Sequence, residues 1–262
     1  MKKCLAFLMA MLCLLTLAAC SNETEGEPVL DKSKDYRVLM IGNSYTYYND
    51  LWDLLTEVAE SGGYTFTVDH VTQGGYYLDQ YTWEGDPFAA QLNDLLAENT
   101  YDYVFLQEQS TAPINNVERF ENGVTALYEK ATENGAAVVL YQTWGRQTGS
   151  PALAANGWTN KGMTEDLKAS YEALAEKLGT AVSPVGTAFY DVHTNHKDIN
   201  LYDPDTTHPS LEGSLLAAYC HYATLTNDDP RNVTYDADLP SETTAVLKQA
   251  AYDAVFPATA EE

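Results

Sequence analysis

Basic side chains are scarce in this sequence: 14 lysines and arginines stand against 38 aspartates and glutamates, a formal charge of −24 over 262 residues. A surface of that sign repels phosphate backbones and anionic membranes, so nucleic acid is set aside as a partner. The sign carries no chemistry by itself, because acidic side chains ordinarily form a solvated face. Cysteine is also sparse. Cys4, Cys13 and Cys20 lie at the N-terminus and Cys220 stands alone afterwards, which excludes a disulfide once a leader takes Cys4 and Cys13 with it and Cys20 is acylated. Histidine occurs only as His70, His193, His196, His208 and His221, so imidazole chemistry has few places to reside. The apolar stretch from Cys4 to Ala19 is shorter than the roughly 20 residues of a membrane-spanning helix.

What is present begins with that stretch. Lys2 and Lys3 precede it, as in a secretory signal. Leu17, Ala18, Ala19 and Cys20 resemble the bacterial lipobox, where the signal is cut before a cysteine that then carries lipid; an ordinary A-x-A-like cut site is the alternative. The expected organisation is a lipoprotein signal over residues 1–19, an acidic tether over 20–35 that starts at lipidated Cys20, and one domain over 36–262. Such a protein is exported and held at the outer face of a bacterial membrane by its lipid, without being embedded. Loss of the leader leaves 12 basic side chains against 38 acidic ones, a formal charge of −26. With 45% hydrophobic residues, one α/β domain of this length buries a proper core.

From Arg37 onward, strand-like and helix-like segments alternate. RVLMIG (37–42), YTFTVDHV (64–71), YDYVFLQ (101–107), AAVVLYQ (136–142) and TAVSPVG (180–186) are short β-prone runs, with helical patterns between most of them. In the stretch 117–135, Phe120, Val124, Leu127 and Ala131 recur at three- and four-residue spacing, which puts them on one helical face. Alternation of this kind implies a parallel sheet with helices on both faces. Right-handed crossovers then bring all strand C-termini to one edge, where open α/β sheets carry their ligand crevice. The Gly- and Ala-rich connection 144–163 is long enough to expect a functional loop. The C-terminal stretch 241–256 reads as a helix packed on the sheet.

Ser44 stands just past the first strand, after Gly42 and Asn43 and before a helical pattern, so its hydroxyl is aimed into that crevice. Helix capping by Ser44 or Asn43 is the simpler use of the same residues. A nucleophilic serine needs a base, and His208 is the best-placed histidine. Asp205 precedes it by three residues, and Pro209 and Ser210 introduce a helix behind it. That spacing lets a carboxylate hold Nδ1 and leave Nε2 for the serine proton; a surface turn with a local Asp205 bond is the plainer alternative.

Together, IGNSY near the start and DTTH near the end resemble the first and last blocks of the SGNH hydrolases, the GDSL-like esterase and lipase superfamily. No G-x-S-x-G surrounds any serine, which argues against the α/β-hydrolase elbow. The resemblance runs from Arg37 to about Thr226 and implies an α/β, flavodoxin-like three-layer α/β/α sandwich with a central parallel five-stranded sheet. It implies catalysis by Ser44, Asp205 and His208 without a cofactor, and an oxyanion hole from the N–H groups of Ser44 and Gly75 together with an asparagine side chain. That asparagine is missing. FLQEQST follows the third strand instead, so Gln107 is the expected third donor, with Gln109 as its competitor; similar Gln-containing blocks mark the sialate-acetylesterase-like and other bacterial branches. Tyr45, Gly74, Tyr76 and Trp144 are the expected substrate contacts, since aromatic faces at strand ends can stack on sugars, although core packing accounts for many aromatics. The implied activity is hydrolysis of acyl esters, foremost O-acetyl groups, on a carbohydrate at the cell surface.

Two other readings remain open. His193 and His196, near Asp191, Asp198 and Asp203, have a spacing that zinc can use, but lack the glutamate of H-E-x-x-H. Alternatively the chain is a non-enzymatic lipoprotein that binds a glycan or solute on the same fold.

Overall fold

A computed structural model of the chain describes residues 30–258. The expected signal, lipidated Cys20 and the tether as far as residue 29 lie outside the described residues. In chain order the elements are β1 (Asp35–Gly42), a short helix α1 (Ser44–Tyr47), α2 (Leu51–Ser61), β2 (Thr65–Thr72) and α3 (Pro87–Glu98). β3 (Tyr103–Leu106), the short α4 (Ala112–Asn115), α5 (Val117–Asn134), β4 (Ala137–Tyr141) and the short α6 (Pro151–Asn156) come next. α7 (Asn160–Leu178), β5 (Ala181–Ser183), α8 (Val185–Asn195), α9 (Leu211–Thr226) and α10 (Ser241–Val255) complete the described residues.

The five strands pair in parallel in the order β2-β1-β3-β4-β5. This is the flavodoxin-like order, and the expected three-layer α/β/α sandwich follows from strand alternation. In β1, Val38 and Met40 enter one apolar cluster and Leu39 and Ile41 the other. Phe105 and Val139 join the first; Val104, Leu106, Val138 and Leu140 join the second. Side chains of α2, α8, α9 and α10 close the first core, and those of α3, α5 and α7 the second. Phe120, Val124, Leu127 and Ala131 of α5 are all buried, as their spacing requires.

Some boundaries differ from the sequence reading. β5 ends at Ser183 because Pro184 has no N–H for a ladder, and α8 starts directly behind it. The connection 144–163 is not a bare loop: Pro151 opens α6, Gly157 closes it with a φ of +69°, and the Thr159 hydroxyl caps α7. α10 packs on α9 and α8, one layer farther from the sheet than expected. The reason is α9, which is buried almost all round and occupies the place next to the strands.

Candidate active site

The carboxyl ends of β1, β3 and β4 lead into Asn43–Ser44, Gln107–Ser110 and Gln142–Arg146 at one edge of the sheet. At the first of these, Asn43 caps α1 by accepting the Tyr45 N–H at 3.2 Å. Its own side-chain amide donates to the Tyr76 carbonyl at 3.0 Å, which ties the serine corner to the loop after β2. The cap is therefore Asn43, and Ser44, the first residue of α1, keeps its hydroxyl for other use.

That hydroxyl lies 2.8 Å from Nε2 of His208. On the other side of the ring, Nδ1 is hydrogen-bonded to Oδ2 of Asp205, whose Oδ1 accepts the N–H groups of Thr207 and His208 at 2.9 Å each. Burial alone would raise the Asp205 carboxyl; the bonds from the His208 ring and from the two N–H groups outweigh it and hold the group below the ordinary carboxylate range. The loop is fixed at several points. Trp144 Nε1 donates to the Thr207 carbonyl at 3.1 Å, the Gln147 N–H donates to that of Thr206 at 3.1 Å, and Asp203 N–H closes on the His208 carbonyl at 2.8 Å. Thus the structure brings Ser44, His208 and Asp205 into one hydrogen-bonded line, with His208 carried on the loop just ahead of α9.

Gly75 has a φ of +73°, a left-handed conformation, and is exposed, with open space where a Cβ would stand. Among the described residues, neither its N–H nor that of Ser44 enters a backbone hydrogen bond, so both are available to an incoming oxygen. Gln107 does not supply the expected third donor. Its Oε1 accepts the Asn43 N–H at 2.8 Å and the Thr46 hydroxyl at 3.0 Å, while Nε2 donates to the Glu108 carbonyl. Gly42 explains why: a Cβ there would sit 2.6 Å from Gln107 Oε1, so the missing side chain leaves a recess that draws the carboxamide beneath the serine corner. Gln109 is committed as well. Its Oε1 accepts the Thr111 and Ala112 N–H groups at 2.8 and 3.2 Å and so caps α4.

The expected substrate contacts divide. Gly74 is exposed and Tyr76 half-buried at the rim, the Tyr76 hydroxyl donating to Asp86. Tyr45 and Trp144 are instead core residues, 3% and 0% exposed. Their rings stack at 4.3 Å, and Trp144 stacks in turn on Phe189 at 4.1 Å; continuous burial between α1 and α8 removes both from the crevice. Tyr48, another of the strand-end aromatics that could stack on a sugar, lays its ring flat on the imidazole of His208; the sequence suggested no such positioning role for it, and none for Asn49. The Asn49 amide donates to the Pro209 carbonyl at 3.2 Å and Ser214 Oγ at 2.9 Å, which clamps the end of α1 to the chain just behind His208. The residue type was the available signal, since asparagine tolerates the left-handed φ of 55° that position 49 adopts.

The other histidines serve elsewhere. His193 meets the Thr148 hydroxyl at 2.8 Å, and among the described residues no group of three or more His, Cys, Asp and Glu side chains converges as metal ligands would. His221 is buried in α9 with Nδ1 2.8 Å from the Ser183 hydroxyl, and burial pushes its pKa down to about 3.

No known family model and no curated protein matches the chain. Solved structures do. A protein from Slackia heliotrinireducens described as a candidate SGNH hydrolase is 28% identical, over 73% of this chain and 99% of its own, with a TM-score of 0.66. A DUF4886 family protein from Bacteroides uniformis is 18% identical over 87% of this chain and 98% of its own, TM-score 0.73. An acetyl xylan esterase is 16% identical over 71% and 98%, TM-score 0.54. With this fold and the serine, glycine and Asp-x-x-His blocks in their places, the chain is similar to the SGNH hydrolases, and the solved structures it matches support that superfamily.

Proposed function

We propose that the protein is a serine esterase that removes acyl groups, foremost O-acetyl, from a carbohydrate. The observation that carries this reading is the 2.8 Å approach of Ser44 Oγ to His208 Nε2, with Asp205 on the opposite ring nitrogen. In the first half-reaction the serine oxygen bonds to the ester carbonyl carbon as its proton passes to Nε2. The carbonyl oxygen becomes an oxyanion facing the N–H groups of Ser44 and Gly75. Collapse breaks the bond to the sugar oxygen, which leaves with the proton from Nε2, and an acyl-serine remains. Water then gives a proton to Nε2 and attacks the acyl carbon; collapse returns the proton to Ser44 Oγ and frees the acid. Asp205 orients the ring and balances its transient charge.

The carbohydrate assignment draws on the half-buried Tyr47, Tyr48 and Tyr76 around the serine and on the acetyl xylan esterase among proteins of this fold. Export, with lipid on Cys20, places the enzyme where extracellular polysaccharide is met. A fluorophosphonate probe tests the nucleophile: the native chain should be labelled on Ser44 and hydrolyse aryl acetate, and Ser44→Ala should do neither. A native chain that resists labelling while still binding acetylated glycans would replace the esterase with a binding lipoprotein.

A further inference from the structure

A cavity of about 810 Å³ opens between the segment 147–161 and the end of α8. Neither Ser44, Asp205 nor His208 lines it, so the chemistry above leaves it unassigned. One strip of chain nevertheless joins the two places. Gln147 lines the cavity while its N–H holds the Thr206 carbonyl, next to Asp205, and Arg146 before it reaches the Thr207 hydroxyl at 3.3 Å. A ligand in the cavity therefore lies against the wall that supports the reactive loop.

The charge of this wall departs from that of the chain. Among the described residues no aspartate or glutamate lines the cavity, although the sequence holds 38, whereas Lys161 and Lys197 both do. Lys161 is shared with Glu165 one turn along α7. Lys197 has no ion-pair partner among the described residues, and the guanidinium of Arg146 meets only the hydroxyls of Ser110 and Thr207. Arg146 does not itself line the cavity, so Lys197 is the lining cation left without an ion-pair partner, and in a chain this acidic such a cation attracts an anion that the rest of the surface repels. The remaining lining is of a second kind: Trp158 and Tyr190 are half-buried aromatics, and Thr148 and Asn200 are polar, the hydroxyl of the first shared with His193 and the amide of the second with Tyr202. A pyranose ring has an apolar C–H face and a hydroxylated rim, which such a wall matches. The volume lies within the range of about 300–1,000 Å³ usual for small-ligand sites.

We propose that this cavity is a subsite for an anionic sugar, a uronate residue of the acylated polysaccharide, with its carboxylate on Lys197 and its ring on Trp158. The proposal deepens the esterase reading, on which it rests for the neighbouring ester, but the binding itself needs no catalysis.

Binding is therefore measured on the full Ser44→Ala chain, by titration calorimetry with a short oligogalacturonate and with a neutral xylo-oligosaccharide of equal length. The oligogalacturonate should bind more tightly, and its affinity should fall as salt is raised. Lys197→Ala should weaken it roughly 3- to 5-fold, and Trp158→Ala about 5- to 10-fold, with thermal melting confirming that each variant is folded. Equal affinity for the neutral oligomer, no binding of either, or oligogalacturonate binding that Lys197→Ala and Trp158→Ala both leave unchanged would each overturn the proposal. Failure of the native chain to hydrolyse any ester would instead strike the esterase reading and leave these affinities standing.

Discussion

The ring of Tyr48 lies parallel to the imidazole of His208, with centroids 4.2 Å apart and planes within 5°. Tyr45 meets the same imidazole edge-on at 5.7 Å. Two rings from the segment that carries the serine thus hold the histidine that must reach it. Their contact fixes the ring plane independently of the Asp205 bond.

Loss of that stack should misalign Nε2. An aromatic pair contributes about 0.5–1.5 kcal/mol beyond its area burial, so Tyr48→Ala should lower kcat/KM for an aryl acetate by roughly 2- to 12-fold. Tyr48→Phe, which keeps the ring, should stay near the native value. Equal loss in both variants would assign the effect to the hydroxyl and contradict the stacking role.

Asp205→Asn leaves the shape of the loop but removes the charge that accepts Nδ1–H. By the logic of hydrolytic triads the expected loss is about 10⁴-fold in kcat, with Ser44→Ala and His208→Ala at least as severe. Turnover of Asp205→Asn within tenfold of native would show that His208 does not depend on Asp205.

Gln107 acts on the serine corner through the Asn43 N–H. Gln107→Ala strips a buried N–H of its partner at a site 1% exposed, which should cost about 1–3 kcal/mol in urea unfolding. Catalysis should fall with it through a displaced Ser44. Unchanged stability would mean that the carboxamide is not the support described.

Glu108 supplies a pH test. It is fully buried at the end of β3, where its carboxyl accepts the N–H groups of Leu78 and Gln109, and it thereby anchors the chain just after Gly75. Burial pushes its pKa up to about 8; the two N–H bonds and Arg119 oppose this, and Asp79 adds to it. Between about 4.5, the value for an exposed glutamate, and about 8, the folded chain holds a proton that the unfolded chain has released, so stability falls as pH rises through that window. Glu108→Gln cannot release one. Its stability relative to the native chain should rise with pH by up to about 1.4 kcal/mol per unit there, measured by melting from pH 5 to 8. A pH-independent difference would place the Glu108 carboxyl outside that titration.

Much of this molecule was legible in one dimension. The runs at 37–42 and 136–142 alternate between two cores, and the spacing of Phe120, Val124, Leu127 and Ala131 marks one buried face; such patterns are local, set by strand and helix periods. Ser44 and His208 were singled out because serine after the first strand and Asp-x-x-His just ahead of α9 are local signals too. The aromatics were harder. Nothing in the neighbourhood of Tyr45, Tyr48 or Trp144 tells a ring that stacks under α8 from one that lies on an imidazole.

By itself the sequence determined the alternation of elements and the parallel sheet, and it singled out Ser44, Asp205 and His208 as side chains that meet at one edge of that sheet. Tertiary structure alone decided what the side chains of that edge face. Gln107 turns inward because Gly42, distant in the chain, leaves a recess, and Trp144 is core because Phe189 and Tyr45 close on both its faces. Backbone periods propagate along the chain, whereas the direction of a side-chain donor depends on which distant atoms fill the space around it.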